Sequence, residues 1–399
     1  MGAPAPESEI ATPWTLPTDV LIVARSDLPT LVRSAATCKD LRRDIVSLPF
    51  ICRVAKQVAP SILDYCTYDE RPLTLVHPIT PTIMSFCHYY LSPYMSRRNA
   101  GLLYWYYPVT SHSGLVVLRL LLHIDMPSKS ECSSKLWVYD PITHHHTFLS
   151  KPCTRPHTPD NWQYVLLTAA DGIICSFMLL FFDRRPSKAR FWLGYTVLNV
   201  ITSSSRAWGS VTSPPSNLDF PLWYINKCSA PVVLHGGIIH WLMNYVNQIL
   251  TYDVRTGASG RVNLPPNNRK GRQLHLVTSP DAPILKLLSI KGFKISVWLQ
   301  LPTVQPGGCW LLENVIDIEN KLRSMCPDIP HGHGNAAVYF TGSGKRSGDV
   351  VLLEVCHSVS CQMFVVLDLD TNEMRAQKKG SSLLEIDLSC YLETMKVFY

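Results

Sequence analysis

One pattern constrains the fold of this chain more than any other. An apolar strand, a Tyr/Leu-Asp pair, a Thr-led polar turn and a second short strand recur along it. Leu136–Pro152 reads LWVYDPITHHHTFLSKP, Ile249–Pro265 reads ILTYDVRTGASGRVNLP, and Phe364–Gly380 reads FVVLDLDTNEMRAQKKG. Tyr195–Asn199 is a degenerate copy with Asn199 in the Asp position. A second element precedes several copies: a Gly-containing turn and then an apolar strand, at Thr110–Leu121, Thr168–Met178 and Leu234–Met243. Asp140 and Asn199 stand 59 residues apart, Asn199 and Asp253 54 apart, and Asp253 and Asp368 115 apart. The last interval fits two units, with a weaker copy around Ile295–Ile318. A period in the fifties with two hairpins per unit predicts the four-stranded blade of a β-propeller. The Asp is expected to accept backbone N–H bonds in the turn, reinforced by the Thr three residues on. That role is structural, so Asp140, Asp253 and Asp368 are not read as catalytic.

The 399 residues are 46% hydrophobic and 17% charged, enough apolar material for a large core. Thirty prolines argue against long helices. The net charge of +7 is spread over small groups such as Arg184–Arg185, Arg269–Lys270 and Lys378–Lys379. Scattered basic residues read as a solvated surface, so no nucleic-acid partner is expected. Thirteen cysteines occur without a CxxC pair, which leaves zinc-ligand spacing unmet. They read as reduced thiols of an intracellular protein, cytoplasmic or nuclear. Residues 1–15 lack the basic start and apolar stretch of a signal peptide and read as a disordered tail. Tyr164–Phe182 is long and apolar enough to suggest a membrane span, but Asp171-Gly172 at its middle predicts two strands joined by a turn. No membrane partner is expected.

No constellation for catalysis is evident. His144–His146 and His331–Gly334 lack a second ligand pair and read as loop histidines. Gly342–Gly348, GSGKRSG, has Tyr339 and Arg346 where a phosphate loop needs Gly and Ser/Thr, and it reads as a hairpin turn. No nucleophile elbow or dinucleotide fingerprint occurs. The expectation is a non-enzyme with no catalytic, cofactor-binding or metal-binding residues. Exposed loops, including His144–His146, Asn267–Arg272 and Gly342–Gly348, are the plausible recognition surfaces.

Residues 16–58 differ from the rest. Asp27 can cap a helix on which Leu28, Leu31, Val32 and Ala35 share a face. Thr37-Cys38-Lys39-Asp40 reads as a capping box that opens another helix, with Leu41, Ile45 and Leu48 along its apolar side and Pro49 at its end. Three short helices in so few residues bury little on their own, so the cluster needs a neighbouring domain or a partner.

The residues Leu16-Pro17-x-Asp19-Val20-Leu21, Thr30-Leu31-Val32-Arg33, Ala35–Lys39, Leu41-Arg42 and Pro49-Phe50 resemble an F-box. The whole chain resembles plant F-box proteins of the grass-expanded kind, whose carboxy-terminal domain is propeller-like. The resemblance implies a mainly β (α+β) chain: tail 1–15, F-box 16–58, connecting segment 59–99, and a β-propeller-like recognition domain over 100–399. It implies a substrate receptor of a Skp–cullin–F-box ubiquitin ligase. Leu16, Pro17, Val20, Leu21, Leu31, Val32, Cys38, Lys39 and Leu41 would bind the Skp adaptor, and through it cullin. Two departures stand out. Leu21–Arg25 is two residues shorter than in the family, a rotation of about 200° along a helix. Leu41 stands where the family has Trp. The alternative is a propeller-like interaction module whose shortened F-box no longer binds the adaptor.

Overall fold

A computed structural model describes residues 28–37, 39–47, 50, 61–66, 74–77, 106–120, 136–140, 145–149, 162–173, 175–184, 196–203, 209–210, 231–234, 236–243, 247–266, 273–278, 284–301, 309–327, 329, 337–343, 349–358, 361–377 and 381–386. The chain forms two units, one of residues 1–58 with 389–399 and one of residues 59–388.

In the first unit two helices are described, α1 (Leu28–Thr37) and α2 (Lys39–Ile45). The expected apolar stripe of α1 is buried at Leu31, Val32 and Ala35, and Ile45 and Phe50 are buried as well. The Arg42 Nε donates to the Ala35 carbonyl at 2.6 Å, tying the helices together. The expected first helix, around 16–25, lies outside the described residues.

Among the described residues the second unit is all but entirely β. It opens with β1 (Ser61–Cys66) and β2 (Thr74–His77). Five four-stranded antiparallel sheets follow, each laid down in chain order, which is the arrangement of propeller blades. The first blade is β3 (Tyr106–His112), β4 (Leu115–Leu120), β5 (Leu136–Tyr139) and β6 (His146–Leu149). The second is β7 (Trp162–Thr168), β8 (Phe177–Arg184), β9 (Thr196–Thr202) and β10 (Gly209–Ser210). The third is β11 (Val232–Leu234), β12 (Ile238–Leu242), β13 (Gln248–Asp253) and β14 (Ser259–Asn263). The fourth is β15 (Gln273–Thr278), β16 (Leu285–Lys291), β17 (Lys294–Leu301) and β18 (Cys309–Asp317), followed by α3 (Glu319–Met325). The fifth is β19 (Ala337–Ser343), β20 (Val350–Ser358), β21 (Cys361–Asp368) and β22 (Met374–Gln377).

A further three-stranded sheet has the order β2-β1-β23, where β23 is Ser381–Ile386. The six pairs from Ser61↔Ile386 to Cys66↔Ser381 join the two ends of the unit, and β23 lies against β3 and β19. Residues 59–99, read from sequence as a connector, therefore contribute two strands to this sheet.

The apolar runs are continuous because blades are covered on both faces. In β7, Tyr164 and Leu166 join a core cluster with Val117 and Val138 of the first blade. The alternate residues Val165 and Leu167 join one with Ile239, Trp241 and Tyr252 of the third. Clusters of the same kind lie between the third and fourth blades and between the fourth and fifth. The membrane-like run Tyr164–Phe182 is thus β7, a single 3-10 turn at Ala169–Asp171 and most of β8. Among the described residues no helix is long and apolar enough to cross a membrane.

The Asp turns at Asp253 and Asp368 have the geometry their sequence predicts, whereas residues 141–144 of the turn at Asp140 lie outside the described residues. The N–H groups of Asp140, Asp253 and Asp368 donate to the carbonyls of His145, Ala258 and Glu373, at 2.9, 2.9 and 3.0 Å. The Asp253 carboxylate accepts the Arg255 N–H at 2.8 Å, and that of Asp368 accepts Asp370 and Thr371 at 3.0 and 2.9 Å. Thr256 and Thr371 each accept an N–H from two residues on, at 3.2 Å. The fifth position of the turn is left-handed in both, Gly257 at φ 70° and Asn372 at φ 57°. The degenerate copy differs: Asn199 sits inside β9, paired with Phe181 and Ser210, and not at a turn. The weaker copy at Ile295–Ile318 spans the third and fourth strands of the fourth blade.

Candidate functional site

Three turns meet beside the junction of the second and third blades. The turn after β7 ends with Asp171 and Gly172, the latter left-handed at φ 80°. Its Asp171 carbonyl accepts the N–H of Gly236, in the β11–β12 turn, at 2.9 Å. The Gly237 carbonyl in turn accepts the N–H of Val254, in the β13–β14 turn, at 3.2 Å. Gly236 and Gly237 have φ 95° and 77°, and a Cβ on Gly237 would lie 2.7 Å from Val254 Cγ2. The paired glycines thus allow the β13–β14 turn to settle on the β11–β12 turn. A Cβ on Gly236 would meet an Arg255 Nη at 3.2 Å, so the guanidinium lies over that glycine.

These turns and the end of β9 enclose an open cavity of about 800 Å3. Ile173, Met178 and Val254 supply its apolar lining; Cys175, Ser176, Thr202, Ser203 and Arg255 supply its polar lining. Ser203 fixes one wall, donating its N–H to the Phe177 carbonyl at 3.0 Å and accepting the Ser176 N–H on Oγ at 3.1 Å. The Cys175 thiol donates to the Phe177 carbonyl at 3.2 Å. The Asp171 carboxylate is turned away from this role: both its oxygens meet His112 Nε2, at 2.8 and 2.9 Å, and Oδ2 also accepts the Thr168 N–H at 2.7 Å. Burial pushes the Asp171 carboxyl up, but the His112 hydrogen bond and charge and the Thr168 donors outweigh it and hold the group below its ordinary value.

The other blade junctions carry polar ties of their own. Lys286 Nζ donates to Asp349 at 2.8 Å and His275 Nε2 meets Ser343 Oγ at 2.9 Å, both joining the fourth and fifth blades. Trp310 Nε1 donates to the Asn263 carbonyl at 2.7 Å, joining the third and fourth. Among the described residues no group of three His, Cys, Asp or Glu side chains is placed to hold a metal ion.

Of the residues read as adaptor-binding, Leu16, Pro17, Val20, Leu21 and Cys38 lie outside the described residues. Leu31 and Val32 are buried, Lys39 is exposed and Leu41 is half-buried. His144, Asn267–Arg272, His331–Gly334 and 344–348 of the Gly342–Gly348 turn also lie outside. His145 is exposed, and His146 belongs to β6 instead of a loop, its ring 4.9 Å from that of Trp137. Sequence reasoning missed Arg255 as a groove residue, although it lies in the quoted VRTG turn. The paired glycines of LHGG were the available signal, since they imply that something packs closely upon them.

A family model described as a domain of unknown function, DUF7595, matches residues 87–398. No curated protein matches the chain in sequence. Among solved structures, a post-proline cleaving enzyme from Rickettsia typhi is 11% identical, with a TM-score of 0.33 over 69% of this chain and 36% of that one. The present chain therefore spans well under half of that enzyme. A virginiamycin B lyase from Staphylococcus aureus is 13% identical, with a TM-score of 0.32 over 68% of this chain and 69% of the other. TolB from Acinetobacter baumannii is 12% identical, with a TM-score of 0.27 over 70% of each chain. Likenesses this distant carry no argument about activity.

Proposed function

The chain belongs to the DUF7595 family, and from its propeller-like fold and the F-box resemblance of residues 16–50 we propose that it is a non-catalytic protein-interaction module, the substrate-recognition subunit of a Skp–cullin–F-box ubiquitin ligase. On this reading residues 16–58 dock a Skp-family adaptor, and through it cullin, while the blades capture a target protein in the cytoplasm or nucleus.

One observation carries the interaction reading. The blades present an open, mixed apolar and cationic groove whose Cys175 thiol is tied up in a structural hydrogen bond, and the Asp171 carboxylate beside it is spent on His112 and Thr168. Such a surface suits binding rather than turnover. The F-box resemblance of residues 16–50 supports the adaptor half, and the consecutive helices α1 and α2 fit a short helical docking element. Co-purification with a Skp adaptor tests this. Wild-type chain should retain the adaptor and a chain lacking 16–50 should not; failure of the wild type sinks the ligase reading.

A second reading has its own support. Leu31 and Val32 are buried within this chain, and Leu21–Arg25 is two residues short of the family pattern. Both favour an interaction module that no longer engages the adaptor, which the same experiment would reveal as equal, background-level capture by both chains.

A further inference from the structure

We propose that the groove between the second and third blades binds an acidic peptide segment, a carboxylate side chain next to an apolar one. This rests on the interaction-module reading but not on the ligase.

The floor is apolar and fixed. Ile173 is 8% exposed and packs in the core cluster shared by the two blades, with Met178 and Val254 against it. A cavity of about 800 Å3 holds a few side chains of an extended peptide. The cation at its mouth is Arg255. Its side chain is 56% exposed and lies over Gly236, whose lack of a side chain admits it. Among the described residues its ion-pair partner is Asp253, met by Nε at 3.6 Å. That same Asp253 oxygen already accepts the Arg255 N–H at 2.8 Å. The terminal Nη donors are therefore left to face a ligand, in the fork geometry that matches a carboxylate.

Among the described residues the groove's lining contains no carboxylate. Of the two acids next to lining residues in sequence, Asp171 spends both oxygens on His112 and Thr168, and Asp253 meets the N–H and Nε of Arg255 with Oδ1. Ser203 Oγ accepts from the Ser176 N–H, so its hydroxyl hydrogen remains available as a donor. A cation, a hydroxyl donor and an apolar floor together select an acidic-apolar ligand. The net charge of +7 favours the same partner during encounter. A lone arginine at the rim does not make the phosphate-tracking stripe that nucleic acid needs, and a second copy of this chain carries the same sign of charge.

Fluorescence anisotropy on the full chain tests this with a labelled octapeptide, Gly-Ser-Leu-Glu-Glu-Leu-Gly-Ser, and its Gln-Gln and Lys-Lys counterparts. The acidic peptide should bind about ten-fold more tightly than the Gln form, a difference that shrinks with added salt. Arg255→Glu, with an unchanged melting temperature, should reverse the order in favour of the Lys form, and Arg255→Lys should keep part of the preference. The proposal is overturned if no peptide binds the wild type, or if Arg255→Glu leaves the order unchanged. It is also overturned if only a single-stranded RNA oligomer, or self-association by light scattering, responds to Arg255→Glu. Adaptor capture by Arg255→Glu should match wild type. Loss of capture in the wild type with peptide binding intact would sink the ligase and leave the groove standing.

Discussion

His112, the last residue of β3, and Asp171, in the turn after β7, form a buried pair across the first two blades. The imidazole Nε2 lies 2.8 and 2.9 Å from the two carboxylate oxygens. Asp171 also passes its carbonyl to Gly236 of the third blade, so one residue links three blades.

Asp171→Asn should therefore destabilise the chain by about 3 kcal/mol, because it removes the buried charge and turns one accepting oxygen into an amide donor that faces His112 Nε2 or the Thr168 N–H. The depressed carboxyl also sets a pH dependence. Its contribution is full above the ordinary value of 3.8 and is lost as pH falls toward the lower folded value. Urea midpoints at pH 7 and in the acid range, for both chains, check this: the wild type should lose this part of its stability in acid and the Asn variant should not.

A separate pH effect comes from His240 and His275, whose imidazoles burial holds down at about 4. An unfolded chain protonates them near 6.5, so it takes up protons before the folded chain does. Stability should fall as pH drops from 6.5 toward 4, by about 1.4 kcal/mol per unit for each group at most. Thermal melts from pH 7 to 5 should show the fall, and His240→Gln should flatten its slope.

Two turn glycines of the third blade, Gly237 and Gly257, predict unequal penalties. A methyl on Gly237 meets Val254 Cγ2 at 2.7 Å at φ 77°, whereas one on Gly257, at φ 70°, meets nothing within 4 Å. Gly257→Ala should cost about 1 kcal/mol for backbone strain alone, and Gly237→Ala about 2 to 3 kcal/mol, since the clash adds to it. Denaturant titration decides; equal costs would mean that Val254 moves aside freely.

The sheet that joins the ends of the second unit predicts where that unit can be cut. A chain begun at Ala59 keeps β1 and β2; one begun at Cys87 leaves β23 without the partner it pairs with at six positions. The shorter chain should melt earlier and less cooperatively and expose an edge prone to aggregation. Calorimetry and light scattering on the two chains would show this, and identical melts would mean that the sheet adds little.

The blades were legible in the sequence because each is made of local hairpins, and a turn such as Tyr252-Asp253-Val254-Arg255-Thr256 carries its own chemistry. Asn199 misled because the Tyr-x-x-x-Asn string resembles the motif without the Thr, followed by a left-handed Gly or Asn, that makes the turns at Asp253 and Asp368. The pairing of β1 with β23 was not legible, since strand partners distant in sequence share only apolar character. The groove was half legible. The glycines could be read, but that Arg255 would lie over Gly236 depends on how two turns stack in space.

That end-to-end sheet also bears on the order in which the protein can be finished. Residues 61–66 leave the ribosome early and their partner, 381–386, leaves late, with every blade made in between. The blades can form hairpin by hairpin, but β1 must wait, its edge unmatched, until the chain comes round to it. Chaperone dependence during synthesis should therefore concentrate on the first strand made, although it belongs to the last sheet completed.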